Sequence, residues 1–208
     1  MCDTLLARGI ISEKGNLIFA KNSDREPLEA QEQVHIPRIS HSEKTLNCTY
    51  IQIPQVSSTW EVWLSKPFQM WGAEMGVNEW GLAIGNEAVF TQVKFDKSQP
   101  GLTGMDLLRL ALERSKTAMA AKDLIIELLE KFGQNACGGY ENKNFYYHNS
   151  FLIADPKDAL ILETAGKSWA WKRVKNHASI SNCLSLEDDF EEWGIKEEDM
   201  YLSSIFNS

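Results

Sequence analysis

Short runs of apolar and alternating residues fill both ends of the chain, whereas its middle follows a helical period. Near the N-terminus, apolar-rich runs at 4–11 and 16–22 flank Lys14-Gly15, which supplies turn chemistry and predicts a β-hairpin. Further runs are typical of strands, and 178–186 is a candidate for one more. These runs are 48–53, 60–65, 72–78, 81–90, 150–155, 159–164 and 168–174.

Two helices are predicted between the two groups of strands. Thr103 can cap a helix over 104–115. A second helix follows over 117–133, where apolar residues fall at helical spacing and Gly133 is placed to end it. An order of strands, a helix pair and strands again indicates the α+β class, with antiparallel sheets and the helices on one face.

Length and charge narrow the function classes. At 208 residues and 43% hydrophobic content the chain can bury one sizeable core, so we expect one domain over 1–208. The formal net charge of −8 argues against a nucleic acid or an anionic membrane as partner, because both require a basic face. Much of the acidity lies in 186–200, which we interpret as a solvated face or a loose tail.

The N-terminus and the cysteines indicate a cytoplasmic protein. Asp3 and Arg8 interrupt the first apolar residues, so no secretory signal is visible, and no run approaches the roughly 18 apolar residues of a membrane span. The four cysteines have neither CxxC spacing nor a histidine in ligand register, which argues against a structural zinc site. We therefore predict reduced thiols, no metal and no cofactor.

The second residue carries the main candidate chemistry. Initiator methionine is commonly removed when the next side chain is small, and loss of Met1 would leave Cys2 with a thiol and a free α-amine. A thiol reacts as the thiolate and needs a base, and an α-amine with a pKa of about 7.7–8.0 suits that role near neutral pH. No histidine has a context that marks it as the partner of Cys2, although a Cys2–His148 pair stays an alternative.

A polar stretch at the end of the second hairpin strand could supply the groups around Cys2. In an antiparallel hairpin this end returns beside the start of the first strand, so Asp24 could accept hydrogen bonds from the amine. Lys21 or Arg25 could supply a positive field for the thiolate. The same residues, taken alone, also suit a polar strand end that leads into a turn.

Several stretches of the chain resemble a known family. They are MCDTLLA at 1–7, FAKNSDREPLEAQEQ at 19–33, WGAEMGVNEWGLAIGNEAVF at 71–90, GMDLLRLALERS at 104–115, HNSFLIADPKDALILETAGKSWAWKRV at 148–174 and ISNCLSL at 180–186. They resemble the secernin-type dipeptidases of the C69 peptidase family and, more distantly, the bile-salt hydrolases and penicillin acylases, all N-terminal nucleophile (Ntn) hydrolases. The resemblance runs over 2–186 and implies a four-layer αββα sandwich of two antiparallel sheets.

The resemblance also implies roles for single residues. Cys2 falls on the family's nucleophile, and Asp24 falls on the acid that orients the nucleophile's amine. Lys21 falls where the acylase relatives usually have arginine. Asn86 and Asn182 fall on positions that offer oxyanion donors, a role to which an asparagine amide is suited. As a residue type, each asparagine would also suit a turn or a strand end.

The remaining candidates are substrate-binding residues, namely Arg25, Asn78, His148 and Asn149. The expected function is hydrolysis of an amide bond in a small peptide, by a dipeptidase in which the Cys2 thiolate attacks and its own α-amine serves as base. An acylase that cuts an N-acyl amide is an alternative of the same class. A non-catalytic, secernin-like regulator of secretion is an alternative of another class.

The family members are considerably longer than this chain, which diverges from them after 186. We expect 187–208 to be an acidic, divergent tail. The sandwich is then either incomplete at its C-terminal end or closed differently in a compact variant. The acylase relatives draw a catalytic arginine from their later segments, and the sequence offers no counterpart. Apolar sheet surface left uncovered in this way would favour a partner or a homo-oligomer.

Overall fold

Two helices and a series of short strands form within residues 1–195, which the computed structural model describes. The helices are α1 (Gly104–Arg114) and α2 (Ala118–Phe132). The strands, in chain order, are β1 (Asp3–Ala7), β2 (Ile18–Asn22), β3 (Gln31–Ile36), β4 (Ile39–Ser40), β5 (Thr45–Asn47), β6 (Gln52–Pro54), β7 (Ser58–Thr59), β8 (Val62–Pro67), β9 (Met75–Asn78), β10 (Ala83–Val89), β11 (His148–Ala154), β12 (Ala159–Ala165), β13 (Ser168–Arg173), β14 (His177–Ile180) and β15 (Glu192–Gly194).

These strands pair antiparallel in two sheets and two small ribbons. The larger sheet has eight strands in the order β15-β13-β12-β11-β10-β9-β8-β3, and the smaller has three in the order β14-β1-β2. The ribbons β4-β7 and β5-β6 lie in the connection between β3 and β8. From β8 to β13 each strand pairs with the next along the chain, and the two helices lie in the long connection between β10 and β11.

Alternation along the central strands builds an apolar layer on each face of the larger sheet. In β11, Phe151 and Ile153 pack with the two helices, whereas Leu152 and Ala154 pack with the smaller sheet. The helices therefore cover one face and the three-stranded sheet covers the other. This is the α+β sandwich that the sequence predicts, and it matches the αββα arrangement. Residues 1–195 supply one of its two helical layers.

Both helices form within about a residue of the predicted bounds. Thr103 caps α1 in a capping box with Asp106, because each side chain accepts a hydrogen bond from the other's backbone N–H. Thr117 caps α2, which ends at Gly133, where φ is +67°. No helix in the described part of the chain is both long enough and apolar enough to cross a membrane.

The N-terminal hairpin forms and brings the predicted polar stretch beside Cys2. β1 pairs with β2 so that Asp3 lies opposite Asn22, and the residues after β2 therefore lie next to those before β1. The connection turns at Lys14-Gly15, where both residues have positive φ. β14 pairs with the other edge of β1, which carries Asn182 to the same end of the small sheet.

Several stretches differ from the prediction, among them the short strands β4, β5 and β7, which were not predicted. β3 was not predicted, because it is an exposed edge strand without apolar alternation. Within 48–53, only the part that belongs to β6 is extended, since Cys48 and Ile51 close a turn before it. Within 178–186, the strand ends at Ile180, and the chain then turns toward the buried carboxylate of Glu163.

The acidic run is held against the larger sheet as far as the structure describes it. β15 pairs with β13, and the Lys172 ammonium contacts the Asp189 carboxylate at 2.7 Å. The basic residues at the end of β13 thus form ion pairs with residues of the acidic run. Of the two interpretations of this run, a solvated face fits 187–195, where most of the side chains are exposed, and 196–208 lies outside the described residues.

Candidate active site

Cys2 lies directly before β1 and lines a cavity of about 240 Å³. Five of the predicted site residues line it, namely Cys2, Asp24, Arg25, Asn86 and Asn182. The other residues that line the cavity are Met1, Glu74, Ala88, Phe90, Phe145 and Tyr147. Three larger cavities, of about 570, 750 and 930 Å³, are lined by none of the predicted site residues.

The Cys2 thiol is half-buried and held by the main chain of Asp24. The Asp24 N–H donates to Sγ at 3.2 Å, and Sγ lies 3.7 Å from the Asp24 carbonyl oxygen. Burial raises the pKa of the Cys2 thiol, and the Asp24 amide and the Lys21 ammonium lower it only in part. The thiol is therefore protonated near neutral pH, so it requires a base to become a nucleophile.

The α-amine of the chain with Met1 in place is paired with the Asp24 carboxylate. The hydrogen bond between them raises the pKa of the amine and lowers the pKa of Asp24. The Cys2 nitrogen is then an amide, and its N–H donates to Asn182 Oδ1 at 2.8 Å. Asp24 thus meets an α-amine as predicted, but the amine belongs to the residue before the thiol.

Asn182 presents its carbonyl end, not its amide NH₂, to Cys2. A backbone N–H can only donate and a backbone carbonyl can only accept, so the two contacts of Asn182 fix which atom is which. Oδ1 accepts from Cys2, and Nδ2 donates to the Ala88 carbonyl at 2.8 Å. One N–H of Asn182 is thus directed at the main chain of β10, and its oxygen faces the Cys2 nitrogen. The oxyanion-donor role of Asn182 stays a prediction that would require its second N–H.

Asn86 is the residue whose amide nitrogen is held in a fixed direction behind the cavity. Its Nδ2 donates to Asn149 Oδ1 at 2.9 Å, and Asn149 Nδ2 donates in turn to Gln134 Oε1 at 2.9 Å. Gln134 is anchored on Thr164 and on the Gly166 carbonyl. Asn149 is thus buried behind Asn86 and does not line the cavity, so it is placed to orient Asn86 rather than to bind substrate.

Lys21 lies between the two sheets rather than in the cavity. Its ammonium contacts Glu87 Oε1 at 2.9 Å and the Asn86 carbonyl at 2.7 Å, and both side chains of the ion pair are almost fully buried. The Thr4 hydroxyl donates to the same carboxylate oxygen. Lys21 can therefore act on the Cys2 thiol only through its field, and it fixes the main chain that carries Asn86.

Arg25 lines the cavity with its guanidinium already engaged. Two of its nitrogens bind the Glu29 carboxylate, at 2.8 and 2.6 Å, and Nη2 also donates to the Gly138 carbonyl at 2.7 Å. Its Nε lies 3.5 Å from Glu74 Oε1. Gly138 is required at this approach, because an added Cβ would lie 2.2 Å from the Tyr147 ring.

His148 and Asn78, which were predicted to bind substrate, lie outside the cavity that holds Cys2. His148 is buried, stacked on Phe95 with ring centroids 4.2 Å apart, and its Nδ1 bonds to Thr91 Oγ1 at 2.9 Å. Burial lowers the pKa of His148 to about 4. The Asn78 side chain forms hydrogen bonds with the main chain only. Its Nδ2 donates to carbonyls at the C-terminal end of α1, and its Oδ1 accepts from the N–H groups of Trp80 and Leu82.

Glu74 and the aromatic residues were missed in the sequence. Glu74 lies inside a predicted strand, where nothing distinguishes it from the other acids of an acidic chain. The consecutive aromatic residues at 145–147 are a signal that could have been used. Three large apolar side chains at the end of a loop are expected to pack against another part of the protein. Phe90, Phe145 and Tyr147 contact one another in sequence, with ring centroids 5.9 and 5.2 Å apart, and form an apolar wall.

Metal-ligating side chains do not cluster in the described part of the chain: no group of three or more His, Cys, Asp or Glu residues there is arranged to hold an ion. The four cysteines are free thiols, with Cys48 and Cys137 buried and Cys183 exposed.

Comparison with known proteins gives structural neighbours but no sequence family. No protein-family model matches the chain. Two structures of conjugated bile acid hydrolase from Clostridium perfringens superpose with TM-scores of 0.61 and 0.60, at 14% and 16% sequence identity. The matches cover 90% and 89% of this chain but 55% and 54% of those chains, so this chain spans about half their length. At such identity the likeness shows the fold: the chain has the sandwich fold of the Ntn hydrolases.

Proposed function

We propose that the protein is an amide hydrolase of the Ntn class, with Cys2 as the nucleophile once Met1 has been removed, and that it acts on small peptides as a dipeptidase. The observation that carries the proposal is the convergence of the Cys2 thiol and nitrogen, the Asp24 carboxylate and Asn86 on one small cavity. In the bile acid hydrolase compared above, the second residue is also a cysteine, changed to alanine in one structure.

Removal of Met1 would convert the Cys2 nitrogen from an amide into an amine without moving it far. Its N–H already donates to Asn182 Oδ1 at 2.8 Å, and the Asp24 carboxylate would be freed from the Met1 amine. These two acceptors would hold the new amine next to its own thiol. A free α-amine has a pKa near neutral pH, so it would serve as the base that the thiol requires.

Acylation then proceeds with a balanced transfer of one proton. The Cys2 amine takes the thiol proton, and the sulfur bonds to the amide carbonyl carbon, whose π electron pair moves onto oxygen. The Nδ2 of Asn86 has a second proton to donate to this oxyanion while the first is bound by Asn149. The intermediate collapses with cleavage of the C–N bond, and the ammonium of Cys2 gives its proton to the departing nitrogen.

Deacylation repeats these steps with water. The free amine of Cys2 takes a proton from a water molecule, whose oxygen attacks the thioester carbonyl. The sulfur departs and regains the proton from the ammonium, which restores the thiol and the neutral amine. The net reaction consumes one amide and one water and yields a carboxylic acid and an amine, with no other reactant.

An acylase that cleaves a short N-acyl amide is a second candidate. The observation that favours it is the apolar wall of Phe90, Phe145 and Tyr147, together with Ala88, which could pack against an acyl chain. With Met1 in place the cavity of about 240 Å³ is below the roughly 300–1,000 Å³ of pockets that hold drug-sized ligands, and loss of Met1, which lines it, would enlarge it.

The experiment compares the chain before and after loss of Met1. Intact mass and N-terminal sequencing identify the two forms, and a methionine aminopeptidase converts one into the other. We expect hydrolysis of a dipeptide such as Ala-Ala by the Cys2-first form alone. Cys2→Ala should abolish this turnover, whereas Cys183→Ala, which removes an exposed thiol, should leave it unchanged.

Two results would contradict the proposal. Equal activity of the Met1-bearing form would mean that the α-amine of Cys2 is not the base. Absence of turnover of both dipeptides and short N-acyl amides by the Cys2-first form would favour the non-catalytic, regulatory alternative instead.

A further inference from the structure

Glu74 places a carboxylate oxygen without a partner at the cavity that holds Cys2. The residue is 5% exposed and lines the cavity just before β9. Its Oε1 lies 3.5 Å from Arg25 Nε, whereas Oε2 is buried and has no hydrogen-bond partner among the described residues. A buried carboxylate oxygen left in this state is costly, so its presence requires an explanation.

Arg25 neutralises Glu74 only in part, because its closer partner is Glu29. Glu29 holds the guanidinium with two hydrogen bonds of 2.8 and 2.6 Å, while Glu74 is reached only at 3.5 Å and by one nitrogen. Two carboxylates thus share one guanidinium, and the shorter, two-bond contact belongs to the one that does not line the cavity.

The neighbouring cations are also committed elsewhere. The Lys21 ammonium is bound to Glu87 and to the Asn86 carbonyl, and the Met1 amine is bound to Asp24. In the Cys2-first form the neutral amine of Cys2 would donate a hydrogen bond to Asp24, whose carboxylate is largely exposed and is therefore stabilised by water. Among the carboxylates that line the cavity, Glu74 is therefore the buried one that keeps an oxygen without a partner within residues 1–195.

We propose that Glu74 binds the protonated α-amine of an aminoacyl substrate, and this inference rests on the proposed function. In a dipeptide the ammonium is attached to the carbon next to the scissile carbonyl, so its binding site must lie beside the oxyanion donor. Glu74 and Asn86 meet this condition, because they line the same cavity and the Asn86 N–H donates to the Glu74 carbonyl at 3.2 Å.

The rest of the cavity fits one small amino acid residue. Its volume is about 240 Å³ with Met1 in place, and the space that Met1 occupies would be added to it in the Cys2-first form. The Phe90, Phe145 and Tyr147 rings offer an apolar wall to a side chain, while Glu74 and Asn86 take the two polar groups next to it. An N-acylated substrate would bury Glu74 without a cation, and a site built for a polar partner rejects an analogue that lacks it.

The test uses two substrates that differ only in the amine, Ala-Ala and N-acetyl-Ala-Ala, and the Cys2-first enzyme. We expect Ala-Ala to be preferred in kcat/KM. Glu74→Gln should lower kcat/KM for Ala-Ala by about 10- to 100-fold, the value of a charged hydrogen bond, and should leave N-acetyl-Ala-Ala within about 3-fold. This difference would invert or erase the preference for the free amine.

Glu29→Gln is the matched control. It removes the charge of the other carboxylate that is paired with Arg25, and Glu29 does not line the cavity. If Glu74 acted only by holding Arg25, Glu29→Gln would reproduce its effect, and both variants would slow the two substrates equally. That result would overturn the role of Glu74 and leave the proposed hydrolase function intact.

A binding measurement separates failure of the inference from failure of the reaction. The Cys2→Ala variant lacks the nucleophile and cannot hydrolyse a peptide. Calorimetry with this variant therefore measures the dissociation constants of Ala-Ala and N-acetyl-Ala-Ala directly. We expect Ala-Ala to bind, and to bind at least about 10-fold more weakly when Glu74→Gln is added. Equal binding of both peptides, or binding unaffected by Glu74→Gln, would overturn the inference even in a protein that shows no catalysis.

Discussion

The two asparagines that line the cavity differ in the partners of their side-chain amides. Asn182 turns its oxygen to the Cys2 nitrogen, whereas Asn86 has its nitrogen held toward Asn149. Both were expected to donate to an oxyanion, since their residue type allows it. Only the neighbouring donors and acceptors, which come from distant parts of the chain, determine which end of each amide faces the reacting groups.

Substitution of the two linked asparagines should lower turnover by different amounts. Asn86→Ala removes the oxyanion donor, and we expect kcat to fall by about 100- to 1000-fold. Asn149→Ala removes only the group that orients Asn86, so kcat should fall by about 3- to 10-fold with little change in KM. Steady-state kinetics on Ala-Ala measures both.

Asn78→Ala provides the control for loss of a buried asparagine. Its side chain bonds to main chain at the end of α1 and in the turn before β10, away from the cavity. We expect the free energy of unfolding to fall by about 1–3 kcal/mol while kcat/KM stays unchanged. A loss of activity as large as that of Asn86→Ala would contradict the assignment of Asn78 to the scaffold.

The sequence predicted those site residues whose position follows from strand pairing. Asp24 could be placed beside Cys2 because a hairpin brings the end of its second strand back to the start of its first. Glu74 and Glu29 could not be found in this way, because a single acid among 29 acidic residues carries no pattern. Their importance lies in sharing Arg25, which only the packed structure reveals.

At the scale of elements, the buried Lys21–Glu87 pair ties the small sheet to the large one. Lys21 comes from β2 and Glu87 from β10, and Thr4 of β1 donates to the same carboxylate. Burial raises the pKa of Glu87, although Lys21 opposes this effect. The pair is thus satisfied as a unit, and either member alone would be a buried charge without compensation.

Substitution of one member of this pair should lower the free energy of unfolding more than substitution of both members. We expect Lys21→Met to lower the free energy of unfolding by about 3–5 kcal/mol, because it leaves the Glu87 carboxylate buried and unpaired. In Lys21→Met/Glu87→Gln the charge is gone and Thr4 keeps an acceptor, so much of the loss should be recovered. Urea unfolding of the single and double variants measures the coupling. Additive losses would mean that the two side chains do not stabilise each other.

Elements with a strong internal pattern were predicted well, and the others were not. α2 has an apolar face and a glycine at its end, and β11 and β12 are buried throughout, so each is visible in the sequence. β3 is exposed and polar because it lies at the sheet edge, where pairing with β8 alone keeps it extended. Such a strand depends on its neighbour and leaves no periodicity to detect.

For the whole molecule, the fold could be predicted because the order of elements and the family resemblance agreed. Strands, a helix pair and strands again indicate helices on one face of antiparallel sheets, and the larger sheet has this arrangement. The contribution of buried polar groups to stability could not be predicted from the sequence. His148 is the clearest case, because it was expected at the active site and lies instead in the packed interior.

His148 should make the whole molecule sensitive to acid. Burial lowers its pKa from 6.5 to about 4, so the unfolded chain binds a proton below pH 6.5 that the folded chain does not. Stability from this group is therefore present above pH 6.5 and is lost as the pH falls toward 4. At about 1.4 kcal/mol per pKa unit, the loss amounts to about 3 kcal/mol.

The comparison with His148→Gln isolates this contribution from that of the acidic residues, which titrate in both proteins. Urea unfolding at a series of pH values between 7.5 and 4 should show the wild-type free energy falling more steeply than that of the variant. The difference between the two curves should develop mainly below pH 6.5. Parallel curves would mean that the folded protein accommodates a protonated His148, and its packing against Phe95 and Thr91 would then have to open.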